Sequence, residues 1–348
     1  VRFWAPGRVN LIGSHTDFQD GLVLPLALPL GVEVTVESDG RPQRVVTMRS
    51  ERFPGVVEVP ADGSAGPGGG VTGWGRYVAG VVWALAELGR PPVGLNGSVT
   101  ATVPDGAGLA SSAALEVAVA DALCAVAEWD IDRMALALAC QRAEVEGAGV
   151  PCGIMDQLTA ALDERDGALL IDCRSLATEK VPIPSAWSVI VADSGARRQL
   201  SRSPFGDRKR EVDEGARLLG KRLRDATEDD VAALPQPLRR RCRHVVTENA
   251  RVLEAVEAIR RADADRLGDV FARSHRSDVE DYEASHPAVD ELVAALLTDP
   301  HVFAARMTGG GFGGIVVAVT DAPNAFELEA IRRKFRALLP QGQPAGAF

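Results

Sequence analysis

The run Val103-Pro-Asp-Gly-Ala-Gly-Leu-Ala-Ser-Ser-Ala-Ala-Leu-Glu-Val-Ala118 joins a glycine-rich turn to two hydroxyls and then to an apolar, alanine-rich stretch. Pro104 closes a β-type run from Gly97 to Val103, and Gly106 and Gly108 permit positive φ and close approach of the backbone. The alanine-rich stretch reads as a helix, and its first amides lack intrahelical partners and favour an anion. Gly106, Gly108, Leu109, Ser111, Ser112 and Ala113 are therefore candidate nucleotide ligands, with Ser111 and Ser112 placed to meet a phosphate oxygen or Mg2+. No Lys follows the glycines, so the run is not a Walker A loop. The same residues also suit a plain turn into a serine-capped helix.

At 348 residues the chain exceeds what one core usually holds, and two domains are expected. We place their boundary near Val181-Pro-Ile-Pro-Ser185, giving 1–184 and 185–348. A net charge of −10 argues against a nucleic-acid backbone as partner. No apolar run approaches the ~20 residues that span a bilayer, so no membrane partner is expected. Five scattered cysteines, an odd number, read as reduced thiols of a cytoplasmic protein. Strands are expected over 1–5, 21–37, 168–172 and 188–193, and helices over 74–88, 112–129 and 133–147. From Arg208 to about Leu297 the pattern is mainly helical, charged on one face and aliphatic on the other.

Two further stretches narrow the reading. Pro6-Gly-Arg-Val-Asn-Leu-Ile-Gly-Ser-His-Thr-Asp17 lies near the start, and Met307-Thr-Gly-Gly-Gly-Phe-Gly-Gly314 runs into the strand-like Ile315–Val319. With the 103–118 run they resemble the three motifs of the GHMP kinases, the family of galactokinase, homoserine kinase, mevalonate kinase and phosphomevalonate kinase. The first stretch resembles the galactokinase branch. So do Val150-Pro-Cys-Gly-Ile-Met-Asp-Gln157, Ala168-Leu-Leu-Ile-Asp-Cys-Arg-Ser-Leu176, Arg243-His-Val-Val246 and Ser274-His-Arg-Ser277. The resemblance implies an α/β (α+β) fold of two domains, the first like domain 2 of ribosomal protein S5 and the second ferredoxin-like, with sugar and nucleotide bound between them. It also implies an arm before the first motif and a closing strand beyond the last residue, so both ends are expected to be abbreviated.

The resemblance further implies an ATP- and Mg2+-dependent sugar 1-kinase, acting on a small-molecule sugar as a monomer or homodimer. Ser112 and Glu144 match the metal ligands, and Trp74 matches an aromatic edge for adenine. Asp156 and Arg8 match the pair at the anomeric hydroxyl. Either Asp156 removes the proton as general base, or Arg8 stabilises developing charge while Asp156 positions the hydroxyl. His15, Asp17 and Gly153 match sugar-contacting positions.

Two positions depart from the family. Its Gly-Glu-His-Thr-Asp-Tyr is here Gly13-Ser-His-Thr-Asp-Phe18, which puts Ser14 where a carboxylate meets the C6 hydroxyl; its Ser-Glu-Tyr is here Ser203-Pro-Phe205, which removes a phenol. Arg198 and Arg202 add charge suited to an anion, although arginines there equally suit a solvated face. A substrate modified or extended at C6 is therefore expected: a uronic acid, heptose or octose, with or without a phosphate at its far end. Ordinary galactokinase is the alternative. A non-catalytic sugar and ATP sensor is disfavoured, because such sensors lose residues from the Ser111-Ser-Ala-Ala114 region, which is intact here.

Overall fold

The computed structural model describes residues 1–37, 43–104, 106–164, 167–196 and 204–321, with the backbone of Arg336–Ala337. Contacts divide the chain into two discontinuous units. The first holds Val1–Arg8, Ala27–Asp105 and Leu109–Asp163; the second holds Val9–Leu26, Gly106–Gly108 and the chain from Glu164 on. Within the second, strand β7 (Ala168–Asp172) pairs antiparallel with β2 (Leu22–Val23) and β8 (Thr178–Val181).

In the first unit β1 (Arg2–Asn10) pairs β3 (Pro25–Glu37), and the order continues through β6 (Asn96–Ala101) and β4 (Val45–Ser50) to β5 (Val56–Pro60). β6 runs antiparallel to β3 and parallel to β4. Val32 and Val34 point into the core while Glu33 and Thr35 do not, the period of two expected of a half-buried strand. The helices are α1 (Gly75–Glu87), α2 (Ser111–Val126), α3 (Arg133–Arg142) and α4 (Met155–Leu162). In α2, Ala113, Ala114, Val117, Ala118, Val119, Ala120, Ala122 and Leu123 are all buried, so this helix is apolar nearly all round and lies inside the unit.

The 133–147 helix expected from periodicity is interrupted. α3 begins at Asp132, whose carboxylate accepts from the Met134 and Ala135 amides, and gives way to a π-turn over Ala143–Gly147. Glycines explain how this wide turn packs. A β-carbon on Gly147 would lie 2.6 Å from the Gly80 Cα, and one on Gly80 would lie 2.6 Å from the Ala143 carbonyl oxygen. Two helices therefore meet backbone to backbone at the turn that carries Glu144.

The second unit has an antiparallel sheet in the order β10 (Val302–Thr308), β11 (Ile315–Thr320), β9 (Ser188–Asp193), β12 (Arg336–Ala337). Every residue of β11 is buried, matching its unbroken apolar run. The helices are α5 (Phe205–Leu219), α6 (Glu228–Ala232), α7 (Leu238–Arg260), α8 (Ala264–Ser277) and α9 (Pro287–Leu296). Ile190, Val212, Cys242, Val245, Leu292, Met307 and Val316 form the core. Against it α7 turns an unusual face: Arg241, His244, Glu248 and Arg251 follow helical spacing, yet all four are buried. All five cysteines are free, and no helix among the described residues is long and apolar enough to cross a membrane.

Candidate active site

Within the first unit Arg8 and Asp156 meet as expected. Arg8 Nε donates to Asp156 Oδ1 and Nη2 to Oδ2, both at 2.7 Å, the two-pronged geometry that gives such pairs direction as well as strength. Asp156 lies in the first turn of α4, whose N-terminus has no side-chain cap, so unpaired amides and the guanidinium both favour negative charge there. The Asp156 side chain keeps 22% of its surface exposed against 8% for Arg8. The carboxylate is the accessible partner and the guanidinium is its support. Gly153 is half-buried in the segment leading into this helix.

Ser112 and Glu144 also come together, near enough for the serine side chain to act on the carboxylate. Burial, then the charge on Asp156, raises the Glu144 carboxyl above its usual range, opposed by hydrogen bonds from Ser112, Cys152 and Gln157. Two hard oxygen donors, one of them charged, suit Mg2+, which takes one or two carboxylates and fills its other positions with phosphate and water. Among the described residues no group of three or more His, Cys, Asp or Glu is arranged to hold a metal.

The turn before α2 has Gly106 at φ +68° and Gly108 at φ +81°, and Ala110 at the helix start has φ +58° with no side-chain cap. This leaves the first amides of α2 available to an anion. Ser111 and Ser112 are half-buried, whereas the Leu109 and Ala113 side chains are core, so these two have only backbone groups to offer a phosphate. Trp74 is half-buried at the start of α1, its ring 6.5 Å from that of Phe53 and inclined by 24°.

Behind Glu144 lies Glu116, fully buried on α2, a residue not singled out from the sequence. Burial, then the charge on Glu144, holds its carboxyl well above the ordinary value of 4.5. An acid whose folded pKa is raised loses stability as pH climbs from its unfolded value towards its folded one, because the unfolded chain releases that proton first. Glu116→Gln keeps the shape without the ionisation. The variant is expected to gain in Tm over the wild type as the pH rises above the ordinary carboxyl range; a difference independent of pH in thermal unfolding would contradict the assignment.

In the second unit the 13–17 loop is fastened largely through its backbone. Glu248 Oε1 accepts from the Gly13 and Ser14 amides at 3.1 and 3.2 Å, and the Ser14 carbonyl lies 3.0 Å from His244 Nε2. Thr16 Oγ1 bonds the Gly13 and Leu22 carbonyls. Gly13 has φ +100°, and a β-carbon there would stand 2.6 Å from the Leu22 carbonyl oxygen. Ser14 is only 3% exposed, its hydroxyl accepting from Arg306 Nη2 at 2.7 Å. The added space expected beside Ser14 is thus taken by Arg306, because that guanidinium reaches the short side chain directly. His15 stacks on Tyr282 with ring centroids 4.0 Å apart, and Phe205 lies 5.8 Å from His15. Asp17 is half-buried. Arg198 and Arg202 lie outside the described residues.

Under this loop is a wholly buried charge cluster that sequence reasoning missed. Arg306 on β10 donates to Asp278 Oδ2 at 2.7 Å and to the Leu11 carbonyl at 3.1 Å, while Arg251 donates to Glu248 Oε2 at 2.6 Å. Burial alone would raise the Glu248 carboxyl, but Arg251, Arg306 and His244 hold it well below the usual range. Further along, Gly309, Gly311, Phe312, Gly313 and Gly314 all have positive φ, and a β-carbon on Gly311 would lie 2.4 Å from the Ala284 carbonyl oxygen. Glycine is required there by both conformation and space.

Comparison with known proteins gives matches along the chain. Residues 1–38 match the galactokinase galactose-binding signature, 76–164 the GHMP kinases N-terminal domain and 255–341 the GHMP kinases C-terminal domain. Galactokinase from Bos taurus is 43% identical over 331 residues, covering 92% of this chain and 84% of that protein. Galactokinase from Pyrococcus furiosus is 36% identical over 335 residues, covering 96% and 93%. The crystal structure of Lactococcus lactis galactokinase complexed with galactose superposes with a TM-score of 0.86 at 29% identity, over 96% of this chain and 88% of that one. A mevalonate kinase structure shares the fold, with a TM-score of 0.73 at 16% identity.

Proposed function

The chain belongs to the galactokinase branch of the GHMP kinases and is a sugar kinase, a phosphotransferase; from that premise we propose that it phosphorylates galactose at the anomeric hydroxyl with Mg2+ and ATP. The observation that carries the reading is the Arg8–Asp156 pair: Arg8 belongs to the matched galactose-binding signature and grips Asp156 with two bonds of 2.7 Å. The exposed carboxylate receives or orients the hydroxyl proton while Arg8 sits where developing charge is stabilised. Of the sugar-contacting positions, Gly153 belongs to the first unit with this pair, and His15, Asp17 and Phe205 belong to the second.

The nucleotide's phosphates lie against the first amides of α2 and the Gly106–Gly108 turn, with Trp74 at the base. Ser112 and Glu144 fit Mg2+ by their oxygen chemistry and would hold it. When bound, the ion neutralises charge on the transferring phosphoryl group. Glu144→Gln and Ser112→Ala are expected to weaken the Mg2+ dependence of nucleotide binding while sugar binding without nucleotide survives; normal behaviour of both at limiting Mg2+ would move the metal elsewhere.

Galactose is preferred here to a sugar extended or charged at C6. Full-length relatives carry the name galactokinase, no finding supports a C6 modification, and the Ser14 hydroxyl is engaged by Arg306. The test is a phosphorylation screen with galactose, glucose, galacturonic acid and a heptose 7-phosphate. Galactose is expected to give the highest kcat/KM, with phosphate appearing on C1. A faster reaction with either anionic sugar would restore the C6-modified reading.

A further inference from the structure

Glu144 is held from behind. Gln157 is wholly buried on α4, next to Asp156. Its single side-chain nitrogen donates to Glu144 Oε2 at 2.6 Å and to Glu116 Oε2 at 3.0 Å. Glu116 in turn stands four residues after Ser112 on α2, one helical turn away on the same face. One amide therefore ties together the three segments that carry the proposed metal and proton chemistry: the start of α2, the π-turn at Glu144 and the first turn of α4.

An amide suits this position for a specific reason. Its NH2 group has two hydrogens, one for each carboxyl oxygen, and carries no charge of its own between two buried acids. With Oε2 of Glu144 occupied by Gln157, the carboxylate cannot rotate freely. The π-turn that carries it lacks the regular bonding of an α-helix and is fixed on its other side by the Gly80–Ala143 backbone contact. Side chains that orient a metal's carboxylate in this way typically affect metal affinity more than overall folding.

We propose that Gln157, anchored by Glu116, is a positioning residue that sets the Glu144 carboxylate against the Ser112 hydroxyl for Mg2+, and so couples the metal site to the segment bearing Asp156. The inference rests on the Mg2+ and ATP reading above. It does not depend on which sugar is used.

The test measures ATP binding by calorimetry as Mg2+ is varied, without sugar turnover, in Gln157→Met and Gln157→Asn. Gln157→Met fills the space but donates nothing, and is expected to raise the Mg2+ concentration for half-maximal ATP binding by about 10–100-fold. Gln157→Asn keeps a buried amide that is too short to reach both carboxyls, and should shift it in the same direction by a smaller factor. Sugar binding in the absence of nucleotide serves as the check of fold, and either folded variant decides the question. An unchanged Mg2+ half-saturation, with or without a fall in kcat, would overturn the proposal by showing that Gln157 acts only in packing. Failure of galactose as substrate, with the Mg2+ shift intact, would instead strike the sugar assignment alone.

Discussion

Asp156→Asn is expected to lower kcat on galactose by at least about 10²-fold, the scale of a positioned acid–base group, with little change in Tm. The argument rests on geometry. Asn can still accept from Arg8 through its one oxygen, so the pair at 2.7 Å is weakened rather than abolished, and the segment before α4 has no reason to rearrange. What the amide cannot do is take a proton from the sugar hydroxyl. If Asp156 is the base, the loss appears in kcat and kcat/KM together, as for an interaction made only in the transition state. If charge stabilisation by Arg8 dominates, Arg8→Lys is the more damaging change, because an ammonium does not reproduce the guanidinium fork. Turnover near the wild-type rate in Asp156→Asn would remove this residue from the chemistry.

Arg306→Met should produce the largest loss of stability of any single change discussed. The side chain has no exposed surface and bonds Asp278, Ser14 Oγ and the Leu11 carbonyl. Removing one partner from a buried charge network leaves the others uncompensated, at a cost of about 3–5 kcal/mol. The contrast is Arg174, which pairs Asp225 with both side chains about half exposed; Arg174→Ala should leave the unfolding midpoint almost unchanged. Urea unfolding of the two variants separates the cases, and a loss below about 1 kcal/mol for Arg306→Met would mean that the cluster is neutralised or hydrated in some other way.

Much of the candidate site was legible in the sequence, for a physical reason. Glycine turns, an uncapped helix start and the residues around Arg8 and Asp156 are local chemistry written in consecutive residues, and the structure joins Arg8 to Asp156. The buried supports were not legible. Arg241, His244, Glu248 and Arg251 repeat at helical spacing, which by itself assigns a polar stripe to solvent. They face inward because their partners, among them Ser14, Asp278 and Arg306, come from distant parts of the chain.

The π-turn was missed on similar grounds. Residues 133–147 carry ordinary helical periodicity, and what widens the last turn is packing against Gly80, 63 residues before Ala143 by the numbering. Strands β4, β5 and β10 were passed over as well, since their alternation is short and interrupted by charged residues. The same tertiary context governs Ser14. Read by volume alone, the change from a carboxylate suggests an emptier pocket; the structure instead fills that place with a hydrogen bond from an arginine 292 residues away.

Because Glu248 and His244 grasp the 13–15 segment by its main-chain atoms, the path of that segment is independent of which side chain hangs from position 14. A change at position 14 would leave those main-chain anchors in place, but it would have to give Arg306 another partner for the bond that the Ser14 hydroxyl now accepts. Redesign at position 14 is thus a matter of charge and hydrogen bonding around Arg306 rather than of the loop's path.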